Sequence, residues 1–176
     1  MNSETQPSCA PPVNTGNLKV TIPSDFEIVM TREFDAPRRL VWEAYTKPEL
    51  LKRWLGVFGD WTLAVCEVDL RPGGTIRYEW HNRQNGQKMG MTGTFREVVV
   101  PERIVSIEKF DDPWYEGVAV GTVTLTEVAG KTTLSMTTRY DSKAIRDGVL
   151  KSGMESGVAA SFDILAGILA SQVQGR

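Results

Sequence analysis

Ser152–Gln174, SGMESGVAASFDILAGILASQVQ, is the most apolar long segment of the chain and contains no proline. Met154, Gly157, Val158, Ser161, Leu165, Ile168, Leu169 and Gln172 recur at the i, i+3, i+4, i+7 spacing of one helical face. The spacing predicts one continuous helix, about 35 Å long at a rise of about 1.5 Å per residue. Ser152 and Glu155 have the spacing of a capping box, so the serine is expected to start the helix by accepting from the glutamate backbone N–H. Only Glu155 and Asp163 are charged between Ser152 and Gly175, while Phe162, Ile164 and Val173 lie off the main stripe. A helix apolar nearly all round is buried on more than one side. The second side is expected to meet either the short helices of the N-terminal half or a second copy of the chain in a homodimer. Gly153, Gly157 and Gly167 would allow close approach.

The partner of the main stripe lies upstream. From Trp61 to Tyr140 the period changes to two, and five turn signals divide the text into six strands: Arg71-Pro72-Gly73-Gly74, Asn85-Gly86, Val100-Pro101-Glu102, the longer break Asp111 to Gly117, and Ala129-Gly130. Pro72-Gly73 suits the centre of a type II turn and Asn85-Gly86 a two-residue type I′ hairpin. The connections are mostly too short for crossovers, so the sheet is expected to be an antiparallel meander. Alternation puts Ile76, Tyr78 and Trp80 on one face, with Met89, Met91, Gly93 and Phe95, then Val123 and Leu125, then Leu134, Met136, Thr138 and Tyr140. That apolar set must face the helix. Arg103–Phe110 sorts less cleanly, since either alternating set carries one charge. Ile104, Ser106, Glu108 and Phe110 are preferred as the inward set, because Lys109 can extend to water at an edge whereas Phe110 needs cover.

At the other end, residues 1–17 are rich in Ser, Thr, Asn and Pro, too poor in large apolar groups to offset their ordering entropy, and are expected to form a flexible leader. Leu18, Val20 and Ile22, then Phe26, Ile28 and Met30, continuing to Arg32 and Phe34, read as a first strand with an edge extension. Asp35 as N-cap and Pro37 in the first turn then begin a short helix with Leu40, Val41, Ala44 and Tyr45 on one face. Pro48 ends it and starts a second helical piece to Trp54. Residues 18–174 thus read as a single α+β domain: a curved antiparallel sheet around a long C-terminal helix, with two short helices after the first strand.

Twenty basic against 22 acidic residues leave a net charge of −2, which offers no overall attraction to nucleic acid or an anionic membrane surface. Cys9 and Cys66 do not make a disulfide framework, the N-terminus shows no secretory pattern, and no apolar run reaches the roughly 20 residues that span a bilayer. A cytoplasmic protein without nucleic-acid or membrane partners is expected. His81, the single histidine, excludes a multi-histidine metal site, and no phosphate loop, nucleophile elbow or C-x-x-C motif is present, so no metal or cofactor is expected.

The order of elements resembles the helix-grip fold of the START-like (SRPBCC) superfamily. Phe34-Asp35-Ala36-Pro37, Val41-Trp42-Glu43-Ala44-Tyr45-Thr46-Lys47-Pro48-Glu49-Leu50, Lys52-Arg53-Trp54, Cys66-Glu67-Val68-Asp69-Leu70-Arg71-Pro72-Gly73-Gly74, Pro101-Glu102-Arg103-Ile104 and Ser152-Gly153-Met154-Glu155 are similar to bacterial homologues of the heat-shock protein 90 ATPase activator's C-terminal domain. The resemblance spans roughly Ile22 to Ala170. It implies a cavity between sheet and long helix, and supplies no catalytic motif.

Trp54, Tyr78, Trp80, Met91, Phe95, Phe110, Met136, Tyr140, Phe162 and Leu165 either line a pocket for a small apolar or aromatic molecule or simply fill the core. Glu108, if inward, is the most chemically distinctive residue, since a carboxyl facing an apolar space has a raised pKa and can serve as general acid or base. Three functions follow: a ligand-binding domain; a cyclase- or dehydratase-type enzyme using Glu108 with Tyr78 or Tyr140; and an interaction module stimulating a heat-shock ATPase, by analogy with the chaperone activators. A Cys66–His81 nucleophile pair is disfavoured because alternation sends the two to opposite faces. Asp69 and Arg71 read as turn-fixing, and the aromatic pair Trp114-Tyr115 as either a cavity gate or core cover.

Overall fold

The computed structural model describes residues 13–15, 17–112 and 115–175. Among these, nine strands form one antiparallel sheet: β1 (Val13–Thr15), β2 (Leu18–Ser24), β3 (Glu27–Phe34), β4 (Trp61–Val68), β5 (Thr75–Asn82), β6 (Lys88–Val99), β7 (Arg103–Phe110), β8 (Ala119–Val128) and β9 (Lys131–Arg139). The helices are α1 (Arg38–Thr46), α2 (Pro48–Leu51), α3 (Lys143–Lys151) and α4 (Met154–Gln174). The spatial order β1-β2-β3-β9-β8-β7-β6-β5-β4 contains the expected six-stranded meander, β4 to β9, and joins its last strand to β3 along the whole register Glu27↔Arg139 to Phe34↔Thr132. Bulges between Leu63 and Val65 in β4 and between Phe95 and Glu97 in β6 bend the sheet. It curls around α4 in a helix-grip α+β fold.

The first strand is in fact a hairpin. Ser24 Oγ donates to Glu27 Oε2 at 2.9 Å across the reversal, and Pro23 lies near the end of β2. Residues 13–15, assigned to the leader from composition, pair with Lys19 and its neighbours, whereas residues 1–12 of that leader lie outside the described residues.

Three local expectations are corrected. Asp35 does not cap α1; it pairs with Lys131 at 2.9 Å, and the free Arg38 N–H at the helix start donates to Glu127 Oε2 of β8 at 2.8 Å. A cap supplied by a distant strand has no local signature. Ser152 closes α3, its hydroxyl donating to the Val149 carbonyl at 2.6 Å, and α4 starts instead after Gly153 at φ 74°. Ser142, by contrast, does cap α3, accepting from the Ile145 N–H.

The third concerns the tight turn. Asn85-Gly86 sits in a longer loop in which only Gly86 has positive φ; the hairpin with two consecutive positive φ values is Ala129 (51°) and Gly130 (76°). That is the type I′ pattern, and alanine is a poor occupant of its first position. Left-handed geometry costs an L-residue about 1–2 kcal/mol, with asparagine and glycine tolerating it best. Ala129→Asn is therefore expected to stabilise the domain by about 1 kcal/mol, raising Tm by about 2–4 °C in a thermal melt.

The core runs between α4 and the concave face. Phe34, Trp54 and Phe162 meet there: Phe162 is 2% exposed, edge-on to Phe34 at 5.8 Å between centroids and tilted on Trp54 at 5.9 Å. Phe162 is thus core, not an outer helical face. Where Phe162 lies, the second side of α4 is covered from within the chain, whereas Ile164 is half-buried and Val173 is 42% exposed. Arg32, buried on β3, reaches Asp163 Oδ1 at 2.6 Å and ties the sheet to the helix. By length and mean hydropathy (1.4) α4 would suffice to cross a membrane, but Leu165, Ile168 and Leu169 are buried against the domain, which makes it the core helix.

Candidate functional site: a two-chambered cavity

Wrapping a curved sheet round a helix leaves space where the large residues on the two sides do not meet. Two adjoining chambers occupy it, of about 200 Å³ and about 470 Å³, sharing Tyr45, Leu55, Trp80, Phe110 and Met136 as walls. The inner one is built mainly by the sheet. Tyr78, Met91, Phe95 and Glu108 line it, as alternation predicts, together with Ile104, Ser106, Gly121 and Val123. The outer chamber lies between the sheet and the first turns of α4. Trp54, Tyr140 and Phe162 line it, with Phe58, Trp61, Tyr115, Met154 and Gly157 around them.

Of the residues predicted to line a cavity, Leu165 alone borders neither chamber; it is fully buried in the core. Met89, expected to point inward, is 44% exposed beside the outer chamber. From the sequence, Tyr45, shared by both chambers, reads only as one residue of an apolar helical face, and Phe58 lies within, and Trp61 at the end of, a loop whose path no periodicity reveals. Tyr115 does fold back, ring to ring with Tyr140 at 5.7 Å, whereas Trp114 lies outside the described residues. The connection that carries Tyr115 is anchored by Asp111, which accepts from Arg77 twice at 2.7 Å; that guanidinium holds the Asp111 carboxyl below its usual range.

The β7 ambiguity resolves in favour of the preferred set. Ile104 and Ser106 are buried, Glu108 and Phe110 face the cavity, and Lys109 is exposed. Glu108 accepts a hydrogen bond from Ser106 Oγ at 2.8 Å, and burial raises its pKa above the usual value while that hydrogen bond opposes the rise. Burial, followed by other influences that include the Glu108 charge, also raises the pKa of Tyr78 and Tyr140; for Tyr45 the order is burial, then Glu108. All three phenols stay protonated and keep an O–H available to donate. Tyr78 shares the inner chamber with Glu108, but Tyr140 lies on the outer one. Cys66 and His81 are separated as expected: Cys66 sits opposite Tyr78 and His81 opposite Thr62 in the β4–β5 register. Burial pushes the Cys66 thiol up, away from the reactive thiolate. Asp69 and Arg71 form a 2.8 Å exposed ion pair at the β4–β5 turn, where Gly73 adopts φ 81°.

Because the folded-state pKa of Glu108 lies above its unfolded value near 4.5, folding favours the protonated acid. The resulting stability is complete below the unfolded pKa and is lost as pH rises through the folded one. Melting curves between about pH 5 and pH 8 are therefore expected to show wild type losing stability with pH relative to Glu108→Gln, whose profile is flatter. Parallel profiles would mean that Glu108 is hydrated.

The fold and its cavity define a helix-grip domain with an apolar interior chamber. Residues 35–170 match the family described as "Activator of Hsp90 ATPase homolog 1-like protein", and the chain belongs to that family. Among solved structures it is similar to a Rhodobacter sphaeroides protein (28% identity, TM-score 0.83, 89% of this chain and 99% of that one). It is also similar to a Nitrosomonas europaea protein (27% identity, TM-score 0.73, 86% and 98%). The AHSA1-like protein from Aeromonas hydrophila shares the fold at 20% identity (TM-score 0.62, 80% and 93%). No curated protein gave a significant match.

Proposed function

We propose that this protein binds a small apolar or aromatic molecule in the cavity between sheet and α4. The observation that carries the reading is the outer chamber: about 470 Å³, within the range of small-molecule sites, and walled by Trp54, Trp61, Trp80, Tyr140 and Phe162. A domain that only needed a core would fill such a space, since every unfilled methyl-sized void costs about 1 kcal/mol. Membership of a START-like family, whose fold commonly encloses ligands, supports the same reading. The core packing of the one strongly apolar helix is compatible with a cytoplasmic protein. Native mass spectrometry of freshly purified protein is expected to show an added small-molecule mass, lost in Met136→Trp, which narrows the wall shared by both chambers. A folded wild type that neither carries nor takes up any apolar compound would overturn the proposal.

A further inference from the structure

The cavity walls are mostly apolar, with a few neutral hydroxyls (Tyr45, Thr46, Tyr78, Ser106 and Thr138 on the inner chamber) and one carboxyl, and that carboxyl discriminates between ligand chemistries. Among the described residues, Glu108 is the sole carboxyl on either chamber wall, and no Lys, Arg or His lines either one. Its Oε1 accepts from Ser106, while Gly121 on the neighbouring strand leaves it room: a β-carbon there would stand 3.1 Å from the same oxygen. The nearby Tyr45 hydroxyl meets only the weak acceptor Met136 Sδ at 3.7 Å. An incoming carboxylate or phosphate would bury its charge with no Lys, Arg or His on the described walls to receive it, and would meet like charge wherever Glu108 is ionised. A pure hydrocarbon would leave the carboxyl's remaining acceptor capacity unused. A hydroxyl or amino group entering first would donate to it.

Resting on the cavity-binding reading above, we infer that the site selects non-anionic aromatic ligands carrying one hydrogen-bond donor, a hydroxyl or an amine, at the end inserted toward Glu108. Carboxylate analogues of the same ring are rejected. Ring recognition belongs to the outer chamber and donor recognition to the inner one.

Four probes test this: naphthalene, and naphthol, naphthylmethylamine and naphthoate substituted at one ring position, each measured by equilibrium dialysis against the full chain. A hydrogen bond to a charged or ionisable partner corresponds to about tenfold in affinity. Naphthol or the amine is therefore expected to bind wild type at least about tenfold more tightly than naphthalene or naphthoate. Glu108→Leu should retain naphthalene and lose the donor preference. Glu108→Gln, which keeps an acceptor, should retain the naphthol preference and lose that for the amine. If naphthalene binds but naphthoate matches naphthol, or if the preference survives in both folded variants, the inference falls and the cavity reading stands. If folded wild type binds none of the four, both fall together.

Discussion

Phe162→Asp is expected to leave the chain unfolded at ambient temperature. The ring is 2% exposed and held between Phe34 and Trp54, whose indole N–H donates to the Ala44 carbonyl at 2.9 Å and so links the α1–α2 region to the same cluster. Truncating a buried Phe costs about 3–5 kcal/mol through lost transfer energy and the cavity left behind. A carboxylate in that space adds several kcal/mol of desolvation, and the nearby Arg32 is already paired with Asp163. The sum reaches the ~5–15 kcal/mol that holds an ordinary domain together. Circular dichroism should show lost cooperativity, while Phe162→Leu, which keeps most of the volume, should melt cooperatively at lower temperature. A folded, monomeric Phe162→Asp from a dimeric wild type would instead restore the homodimer alternative for this face of α4.

Gly56→Ala is the second large effect, and it tests the cavity wall instead of the core. Gly56 follows α2 at φ 66°, its N–H donating to Ser161 Oγ of α4 at 3.1 Å. A β-carbon there would overlap the indole Nε1 of Trp80 and lie 2.8 Å from Cδ1. The alanine meets two penalties: left-handed backbone, about 1–2 kcal/mol, and displacement of an indole whose N–H donates to the Leu55 carbonyl at 2.9 Å, about 1–3 kcal/mol if left unpaired. A loss of about 3 kcal/mol would lower Tm by roughly 6–12 °C. Because Trp80 borders both chambers, ligand uptake should fall along with stability. Gly59→Ala is the control: it shares the positive φ, but nothing lies near its β-carbon, so only the backbone penalty applies.

Much of this architecture is legible because its signals are periodic. Alternate residues of β5, β8 and β9, and of β6 from Met91 to Phe95, turn inward, and alternation leaves little choice when one face must be apolar. Even β7 was resolved by asking which of Phe110 and Lys109 needs cover. What failed was local grammar serving distant partners. Ser152 and Glu155 have the spacing of a capping box, yet the preceding helix uses the serine; Asp35 looks like an N-cap, yet Lys131 claims it and Glu127 does the capping. The two consecutive positive φ values expected at Asn85-Gly86 occur instead at Ala129-Gly130, because turn geometry follows strand register as well as turn residues.

The long helix shows where the division falls. Its existence, its stripe and its sheet partner were settled by the order of residues alone, since period and hydrophobicity are properties of the chain. Whether Phe162 met solvent, a second copy or its own domain was not, because that depends on where Trp54 and Phe34 arrive in space. The same holds for the cavity. Alternation names which side chains face inward, but whether they meet or leave a space depends on sheet curvature and helix position, which only the assembled tertiary structure decides.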